Sequence, residues 1–169
     1  ADKGIADRTI VVFLSDNGGY IGICRLQPDL PVTSNLPLRS GKGSLYEGGI
    51  RVPLIVRWPG HTPSGAVCTH PVTSCDLFPT LLKMAGIPCD PAPATDGLDI
   101  TPLLSDPTSS LAPRTLYFHY PHYYATTSPV SAIRSGNWKL LEYYEDQHLE
   151  LYDLSADPRE TTDLSQQQP

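Results

Sequence analysis

A continuous apolar run at residues 9–14 constrains the fold more than any other feature of the chain. After Thr9 it contains only β-branched, aliphatic and aromatic residues, with no polar residue alternating among them. Such a run is typical of a strand that is covered on both faces. It predicts a buried strand of the kind found in α/β sheets.

Asp16 and Asn17 follow this strand where it opens into a loop. They offer a carboxylate beside an amide carbonyl, which are hard oxygen ligands of the kind that calcium or magnesium takes. Open α/β sheets bind their ligands beyond the carboxyl ends of the strands. The alternative is a simple β-turn, since Asn-Gly and Asp-x-Gly favour turns. We interpret Asp16 and Asn17 as candidate metal ligands.

A glycine-rich run at residues 41–49 holds Lys42 between two glycines. This arrangement lets a cationic tip approach an anion over exposed backbone N–H groups. Together with the first pair it predicts a metal-assisted site for an anionic ester, although the chain holds no convincing nucleophile. The alternative for Lys42 is a solvated lysine in a turn. Glu47 and Arg51 are interpreted as a structural ion pair or as backbone clamps rather than as catalytic groups.

The charge balance argues against nucleic acid as the main partner. The chain has 12 basic and 18 acidic residues among 169, which gives a net charge of −6. Its 18 prolines and 13 glycines lie between apolar runs, as in a loop-rich globular protein. The apolar runs are too short for a transmembrane segment.

The four cysteines show no CxxC spacing, which argues against a zinc site. They are Cys24, Cys68, Cys75 and Cys89. We interpret them as buried or free thiols, with one disulfide as the alternative if the parent protein is exported. Residues 1–8 look like the tail of a helix and a loop, so we expect a piece of a longer chain.

Two further elements are predicted before residue 105, among long loops. A second buried strand is expected at residues 53–58. A brief helical turn is expected near residues 100–104. Residues 18–40 show no clear periodicity, and loops of that length are usually functional or disordered.

A helix is predicted to begin at Thr73, because residues 73–76 fit a capping box. Leu77, Leu81 and Met84 repeat along one face of this helix, which we expect to be the buried face. Gly86 is expected to supply its C-cap.

Beyond a boundary near residues 105–113, the spacing of strands and turns favours a small antiparallel sheet. The predicted strands are residues 116–120, 130–134, 138–144 and 149–152. Trp138, Tyr143, Tyr144 and Tyr152 are expected to build the core and edges of this sheet.

His119 and His122 lie in an aromatic run at residues 117–124. Histidine titrates near neutral pH and suits anion contact or proton donation, and aromatic neighbours can pack on a sugar or aryl ring. We predict that these histidines contact the substrate. The alternative is an aromatic edge strand that enters a loop.

Taken in order, these motifs resemble the C-terminal half of the sulfatases. Residues 11–19 hold the Asp16-Asn17 pair, and residues 38–53 hold the lysine run. Further similar blocks follow in the family's order at residues 58–60, 76–82, 96–99, 137–140, 151–154 and 157–160. A lone Asp-Asn-Gly would carry little weight, whereas the ordered series spans nearly the whole chain.

The resemblance implies a sulfuric ester hydrolase with an alkaline-phosphatase-like α/β core and a small antiparallel sheet subdomain. Residues 1–108 would be the C-terminal part of the core and residues 109–169 the subdomain. The family's nucleophile is a formylglycine, made from Cys or Ser in a Cys/Ser-x-Pro-x-Arg motif. By motif match, Asp16 and Asn17 are two ligands of calcium, with magnesium as the alternative, and Lys42 is the catalytic lysine that contacts sulfate.

The sequence departs from the family pattern at the nucleophile. The nearest approach, at residues 89–93, has Pro93 where Arg is required and follows the metal pair instead of preceding it. The early Asp-Asp pair that completes the family's metal shell is also absent. We therefore expect the chain to be inactive alone and to have the N-terminal part of the same protein as its partner, with a sulfated small molecule or glycan as substrate. The resemblance also favours an exported parent.

Two other functions are left open. The first is a non-catalytic binding or structural module that kept the fold. The second is a phosphate or phosphonate monoester hydrolase of the same superfamily. Those enzymes tend to carry Asp-His where this chain has Asp16 and Asn17, so Asn17 favours sulfate.

Overall fold

The computed structural model describes residues 3–22, 31–88 and 95–168. The chain packs as two compact units. The first unit comprises Ala1–Phe13 and Leu54–Ala112, and the second comprises Leu14–Pro53 and Pro113–Pro169. The predicted division of the parent enzyme between residues 108 and 109 stays a prediction.

The first unit is built around a two-stranded sheet. Strand β1 (Val11–Leu14) pairs with strand β2 (Leu54–Arg57). Both predicted strands are confirmed, and each is shorter than expected. The expectation that the first strand is covered on both faces is wrong for this chain, because Val11 and Leu14, which point to opposite faces, are 48% and 37% exposed in the described structure. Within the described residues, Phe13 is 59% exposed and Ile55 is 62% exposed.

A short 3-10 turn (Ser74–Asp76) leads into helix α2 (Leu77–Met84) of the first unit. The predicted capping box is present, with the Thr73 N–H donating to Asp76 Oδ2 at 2.7 Å. Gly86 follows the helix with a φ of +67°, as a C-cap glycine does. Helix α3 (Thr101–Ser105) follows and confirms the predicted helical turn.

The buried face of α2 agrees only in part with the predicted one, since Met84 is buried as expected while Leu81 is not. Asp76, Thr80 and Met84 are buried, whereas Leu81 is 40% exposed. The reason is a run of hydrogen bonds to the polar residues: the Leu98 N–H donates to Asp76 Oδ1 at 2.8 Å, and the Ile100 N–H donates to Thr80 Oγ1 at 3.0 Å. The backbone before α3 therefore covers a polar face that apolar periodicity could not reveal.

The second unit contains the predicted antiparallel sheet. Its strands pair in sequence order, and they are β3 (Thr115–Tyr120), β4 (Val130–Ser135), β5 (Trp138–Tyr143) and β6 (Leu149–Asp153). The register aligns Ala132 with Phe118 on one side and Leu141 on the other. A single turn of helix, α1 (Glu47–Ile50), belongs to the same unit.

One face of this sheet forms the core of the second unit together with Leu45 and Tyr46. The buried residues of this core are Leu45, Tyr46, Val130, Ala132, Leu141, Tyr143, Tyr152 and Leu154. The predicted distribution of aromatic residues is confirmed, since Tyr143 and Tyr152 lie in the core while Trp138 and Tyr144 lie at the exposed side. No helix in the described parts of the chain has the length and apolar character needed to cross a membrane.

Candidate functional site

Backbone hydrogen bonds join the segment that carries Asp16 and Asn17 to the segment that carries Lys42. The Gly18 N–H donates to the Gly49 carbonyl at 2.8 Å, and the Lys42 N–H donates to the Gly19 carbonyl at 3.1 Å. The two segments are thus adjoining parts of the second unit. The structure brings together the segments that carry the predicted metal ligands and the predicted anion-contacting lysine, while the roles of these residues stay predictions.

The two segments lie so close that side chains are excluded between them. A Cβ atom on Gly18 would lie 1.7 Å from the carbonyl oxygen of Gly48, and one on Gly41 would lie 2.4 Å from that of Gly19. Distances this short cannot be relieved when the neighbouring atom belongs to backbone. Glycine at both positions is therefore a condition for the close approach.

Asn35 fastens the same segments through its side chain. Its Oδ1 accepts from the Gly19 N–H at 2.9 Å, and its Nδ2 donates to the carbonyls of Gly19 at 2.8 Å and Ser40 at 3.1 Å. The side-chain amide of Asn35 thus bonds the backbone of Gly19 as a neighbouring strand would, and it also bonds the backbone of Ser40. Sequence reasoning missed Asn35, because it lies in the stretch without periodicity and nothing nearby distinguishes it from a loop asparagine.

Asp16 and Asn17 present oxygen atoms, but too few to complete a calcium shell. The Asn17 Nδ2 donates to the Gly18 carbonyl at 3.0 Å, which leaves its Oδ1 available. The Asp16 side chain is exposed and makes no hydrogen bond or ion pair within the described residues. Calcium takes 6–8 oxygen ligands, and the described residues hold no cluster of three or more acidic, His or Cys side chains that could bind a metal. The donor set fits part of a calcium site.

Lys42 is fixed through its backbone and exposed through its side chain. Its N–H is held by Gly19, and its carbonyl accepts from Thr126 Oγ1 at 2.9 Å. The ammonium makes no ion pair with a described residue, and the side chain is exposed. A fixed main chain with a free cationic tip suits contact with an anion.

A buried charge cluster lies beneath the lysine run. Lys139 is fully buried, and its Nζ lies 3.1 Å from Glu47 Oε1 and 2.7 Å from Glu160 Oε1. Glu160 Oε2 also accepts from the Glu47 N–H at 2.7 Å. This cluster of Lys139, Glu47 and Glu160 joins α1 to the sheet, and it was not predicted.

Arginines complete the charge cluster from its outer side. Arg51 and Arg134 place Nη1 at 3.7 and 3.8 Å from Glu47 Oε2. The interpretation of Glu47 and Arg51 as a structural ion pair is confirmed. Burial raises the pKa of Glu160 above its ordinary value, and the charge of Lys139 opposes that rise. Glu160 also has a φ of +55°, which is uncommon for a residue other than glycine.

Arg39 forms a second link between the lysine run and the sheet. Its Nη1 donates to Tyr152 Oη at 2.8 Å and to the Glu160 carbonyl at 2.9 Å. The guanidinium lies 3.8 Å from the centroid of the Tyr46 ring. Burial raises the pKa of Tyr46 far above its ordinary value, and its hydroxyl donates to Glu150 Oε2 at 2.7 Å. The phenol therefore stays protonated and acts as a hydrogen-bond donor.

The structure does not bring His119 into contact with Lys42. Phe118 and Tyr120 pack against the core, so strand alternation places His119 on the opposite face of the sheet. There its Nδ1 lies 2.8 Å from Ser131 Oγ and 3.2 Å from Tyr144 Oη. His122 is exposed in the loop after β3, with its ring 5.4 Å from that of Tyr120. Substrate contact by either histidine stays a prediction.

The cysteine expectations are tested only in part. Cys68 and Cys75 are free and exposed thiols. Cys24 and residues 89–93, which include the nearest approach to a nucleophile motif, lie outside the described residues.

Comparisons with known proteins agree on one family. Residues 41–169 match the family model described as N-sulphoglucosamine sulphohydrolase, C-terminal. A sulfatase of Formosa agariphila is 39% identical over 176 residues, which covers 98% of this chain and 30% of that protein. Arylsulfatase A of Homo sapiens is 39% identical over 158 residues, which covers 93% of this chain and 29% of that protein.

A solved structure shows the same fold. The structure of BT4656 in complex with its substrate D-glucosamine-2-N,6-O-disulfate matches with a TM-score of 0.71 and 28% identity, over 96% of this chain and 31% of that chain. This chain spans less than a third of the length of each of these three relatives. The family model nevertheless covers well over half of the chain. This protein therefore belongs to the sulfatase family, of which it carries the C-terminal part.

Proposed function

We propose that this chain supplies part of the active site of an enzyme that hydrolyses sulfate monoesters. In this proposal Lys42 contacts the sulfate group, and Asp16 and Asn17 provide two ligands of a divalent ion. The observation that carries the proposal is the pair of backbone hydrogen bonds that links Gly18 to Gly49 and Lys42 to Gly19. These bonds hold the segment that carries Asp16 and Asn17 against the segment that carries Lys42. The two backbones are so close that no side chain fits between them.

Asp16 and Asn17 would hold calcium, with magnesium as the alternative, through Oδ atoms. A bound divalent ion would act as a Lewis acid toward the sulfate oxygens. The Ser15 hydroxyl supports this geometry, since it donates to the Asn17 carbonyl at 2.8 Å and fixes the turn. The remaining oxygen ligands would come from the N-terminal part of the same protein.

Lys42 would bind a sulfate oxygen and stabilise the negative charge that develops as the ester bond breaks. An ammonium is a compact point charge on a flexible stem, which suits a tetrahedral oxyanion. Its backbone is held on both sides of the residue, so the side chain starts from a fixed point. The stem still allows the tip to follow the sulfate.

The nucleophile would be a formylglycine in the N-terminal part of the protein. Covalent catalysis needs a nucleophile beside the bound ester, and no Cys or Ser of this chain lies in a Cys/Ser-x-Pro-x-Arg motif. The exposure of Phe13 and Ile55 supports an N-terminal partner, because apolar side chains on strands gain free energy when another layer covers them. The substrate would be a sulfated glycan or a sulfated small molecule.

A phosphate or phosphonate monoester hydrolase is the enzymatic alternative, and a non-catalytic module is the other. Asn17 in place of histidine favours sulfate over phosphate. The exposed side chains of Asp16 and Lys42 favour a binding role over a purely structural one, since neither is used in packing.

The proposal is tested on the full-length protein with 4-nitrophenyl sulfate and 4-nitrophenyl phosphate. We expect hydrolysis of the sulfate ester, a loss of calcium content and activity in Asp16→Ala, and a loss of about 10²–10³ in turnover in Lys42→Ala. Lys83→Ala, on the exposed side of α2, is the matched control and should behave as wild type. Preference for the phosphate ester, or undiminished calcium in Asp16→Ala, would overturn the proposal.

The isolated chain gives a second test. Residues 1–169 alone should release nitrophenol from its sulfate ester only at the background rate, with or without calcium. Turnover that disappears in Asp16→Ala would require a nucleophile within this chain and would refute the assignment of the nucleophile to the N-terminal part.

A further inference from the structure

The loop between β3 and β4, residues 121–129, contacts the backbone at the carbonyl of Lys42 and at the next residue, Gly43. Thr126 Oγ1 donates to the Lys42 carbonyl at 2.9 Å. The ring of Tyr124 lies over Gly43, so near that a Cβ atom on Gly43 would be 2.2 Å from Tyr124 Cδ1. Gly43 has a φ of +85° as well, so both its conformation and the ring above it require glycine.

A closed turn holds these two contacting residues in place. The Tyr124 N–H donates to the Thr127 carbonyl at 2.9 Å, and the Thr127 N–H donates to the Tyr124 carbonyl at 3.1 Å. This reciprocal pair is an isolated antiparallel bridge. The hydroxyl of Thr126 and the ring of Tyr124 therefore reach the lysine run from a turn that is already formed.

Tyr124 is only partly covered by this packing. Its exposed fraction is 38%, so ring surface remains beside Lys42 for another molecule. An ester whose sulfate contacts the lysine tip must place its organic group near by. An aromatic ring suits the apolar face of a sugar or an aryl ring.

We propose that Tyr124 is a specificity-determining residue and Thr126 a positioning residue of the sulfate site. Tyr124 forms the wall that a ring-bearing leaving group contacts, whether pyranose or aryl. Thr126 fixes the main chain of Lys42 and acts through it on every substrate. This inference rests on the proposed function, and it adds the residues that select the organic part of the ester.

The test compares variants of the full-length protein on 4-nitrophenyl sulfate, a 6-O-sulfated hexosamine and an unbranched alkyl sulfate. Tyr124→Ala should lower kcat/KM at least about tenfold for the two ring substrates, mainly through KM, and leave the alkyl sulfate within about twofold. The inhibition constant of inorganic sulfate should stay unchanged. Tyr124→Phe keeps the ring and should keep the preference.

Thr126→Val should act differently from Tyr124→Ala. Without the hydroxyl, we expect kcat/KM to fall about fivefold for all three substrates and the inhibition constant of inorganic sulfate to rise by a similar factor. Thr126→Ser keeps the donor and should restore both values. A merely structural role for Thr126 would lower the amount of folded enzyme and leave the inhibition constant of sulfate unaltered.

Tyr123→Ala is the matched control for Tyr124. Tyr123 is the preceding aromatic residue, is 71% exposed, and donates its hydroxyl to Glu145 instead of contacting the lysine run. This variant should keep the wild-type preference. Equal losses on ring and alkyl substrates in Tyr124→Ala would refute the specificity role while leaving the proposed function intact. A wild-type protein that hydrolyses no sulfate ester would overturn both.

Discussion

The charge cluster of the second unit and the two-stranded sheet of the first unit distribute their side chains in opposite ways. In the cluster, Lys139, Glu47 and Glu160 are buried, and each has a partner of opposite charge. In the sheet, Phe13 and Ile55 are apolar and exposed. Charged groups are buried where the chain supplies their counter-charges, and apolar groups are exposed where the described residues supply no second layer.

The difference shows what this chain can complete by itself. The buried charges next to the lysine run, those of Lys139, Glu47 and Glu160, all have oppositely charged partners within the second unit. The apolar side chains of β1 and β2 contribute little stabilising free energy until another layer covers them. The contrast leads us to infer that the lysine run keeps its conformation in the isolated chain, whereas the sheet depends on the proposed N-terminal partner.

Lys139→Met should produce the largest effect. It removes the cation that pairs with the buried Glu160 and leaves Glu47 with only its longer contacts to Arg51 and Arg134. Breaking a buried ion pair in this way costs about 3–5 kcal/mol of unfolding free energy. The measurement is urea unfolding of residues 1–169, followed by the fluorescence of Trp138 in a Trp58→Phe background.

A matched exposed lysine and a combined variant give the controls for Lys139. Lys83→Met should change the unfolding free energy by no more than about 0.5 kcal/mol, since Lys83 is exposed. Adding Glu47→Gln and Glu160→Gln to Lys139→Met should recover part of the loss, because the buried charges are then gone. A triple variant less stable than Lys139→Met would contradict the account of the cluster.

Gly18→Ala should cost less, about 1–3 kcal/mol, because the new methyl group forces the Gly48 backbone away. It should also move the amide resonances of Asn17, Gly19 and Lys42, measured by NMR spectroscopy. Gly65→Asn is the control, since Gly65 has a φ of +71° with open space around it and asparagine tolerates that conformation. Unmoved Lys42 resonances in Gly18→Ala would show that the two segments are not coupled.

Ile55→Thr should change the unfolding free energy of the isolated chain and of the full-length protein by different amounts. In residues 1–169 we expect a change within about 0.5 kcal/mol, because the side chain is exposed. In the full-length protein we expect a loss of about 1.5–3 kcal/mol, because the partner would bury it. Thermal or urea unfolding measures both, and Val130→Thr, at a fully buried position, should be costly in each. Equal small changes in both proteins would remove the argument for a covering layer.

The smallest effect concerns His148 at the edge of the sheet. A hydrogen bond to Asp146, with Nδ1 and Oδ1 2.6 Å apart, is the main cause that raises its pKa above the ordinary value of 6.5. The protonated form is thus favoured in the folded state, so its stabilisation is present below about pH 6.5 and is lost as the pH rises through the folded pKa. NMR titration should show Asp146→Asn lowering this pKa, while Asp106→Asn leaves the His148 curve unchanged.

Local pattern predicted most of the fold. Strands β3 to β6 were found because turns separate short alternating runs, and α2 was found because residues 73–76 form a capping box. The buried face of α2 was predicted only in part. Met84 is buried as expected, but Leu81 is exposed, and the polar residues Asp76 and Thr80 are buried because they accept hydrogen bonds from a distant backbone. Hydrogen bonds to a segment that arrives later in the chain leave no mark in helical periodicity.

The sequence identified the candidate functional side chains but not the buried residues beneath them. Asp16, Asn17 and Lys42 carry recognisable chemistry beside glycines, so the sequence identified them as candidates, and their roles stay predictions. Lys139 was missed as a buried residue, although it alternates with Leu141 and Tyr143 on β5 and therefore points to the core side. The alternation along β5 could have revealed that Lys139 is buried. It was overlooked because lysines are usually expected to be exposed to solvent.

The hydrogen bond from the backbone N–H of Glu47 to the side chain of Glu160 has a consequence for the order of events during synthesis. The Glu47 N–H bonds a side chain 113 residues further along the chain, and the shared lysine lies on β5. Since a ribosome adds about 5–20 residues per second, Glu47 is synthesised several seconds before Lys139 and Glu160 exist. Translation that stops before residue 160 would release a chain that contains Lys42 but cannot form the complete charge cluster of Lys139, Glu47 and Glu160.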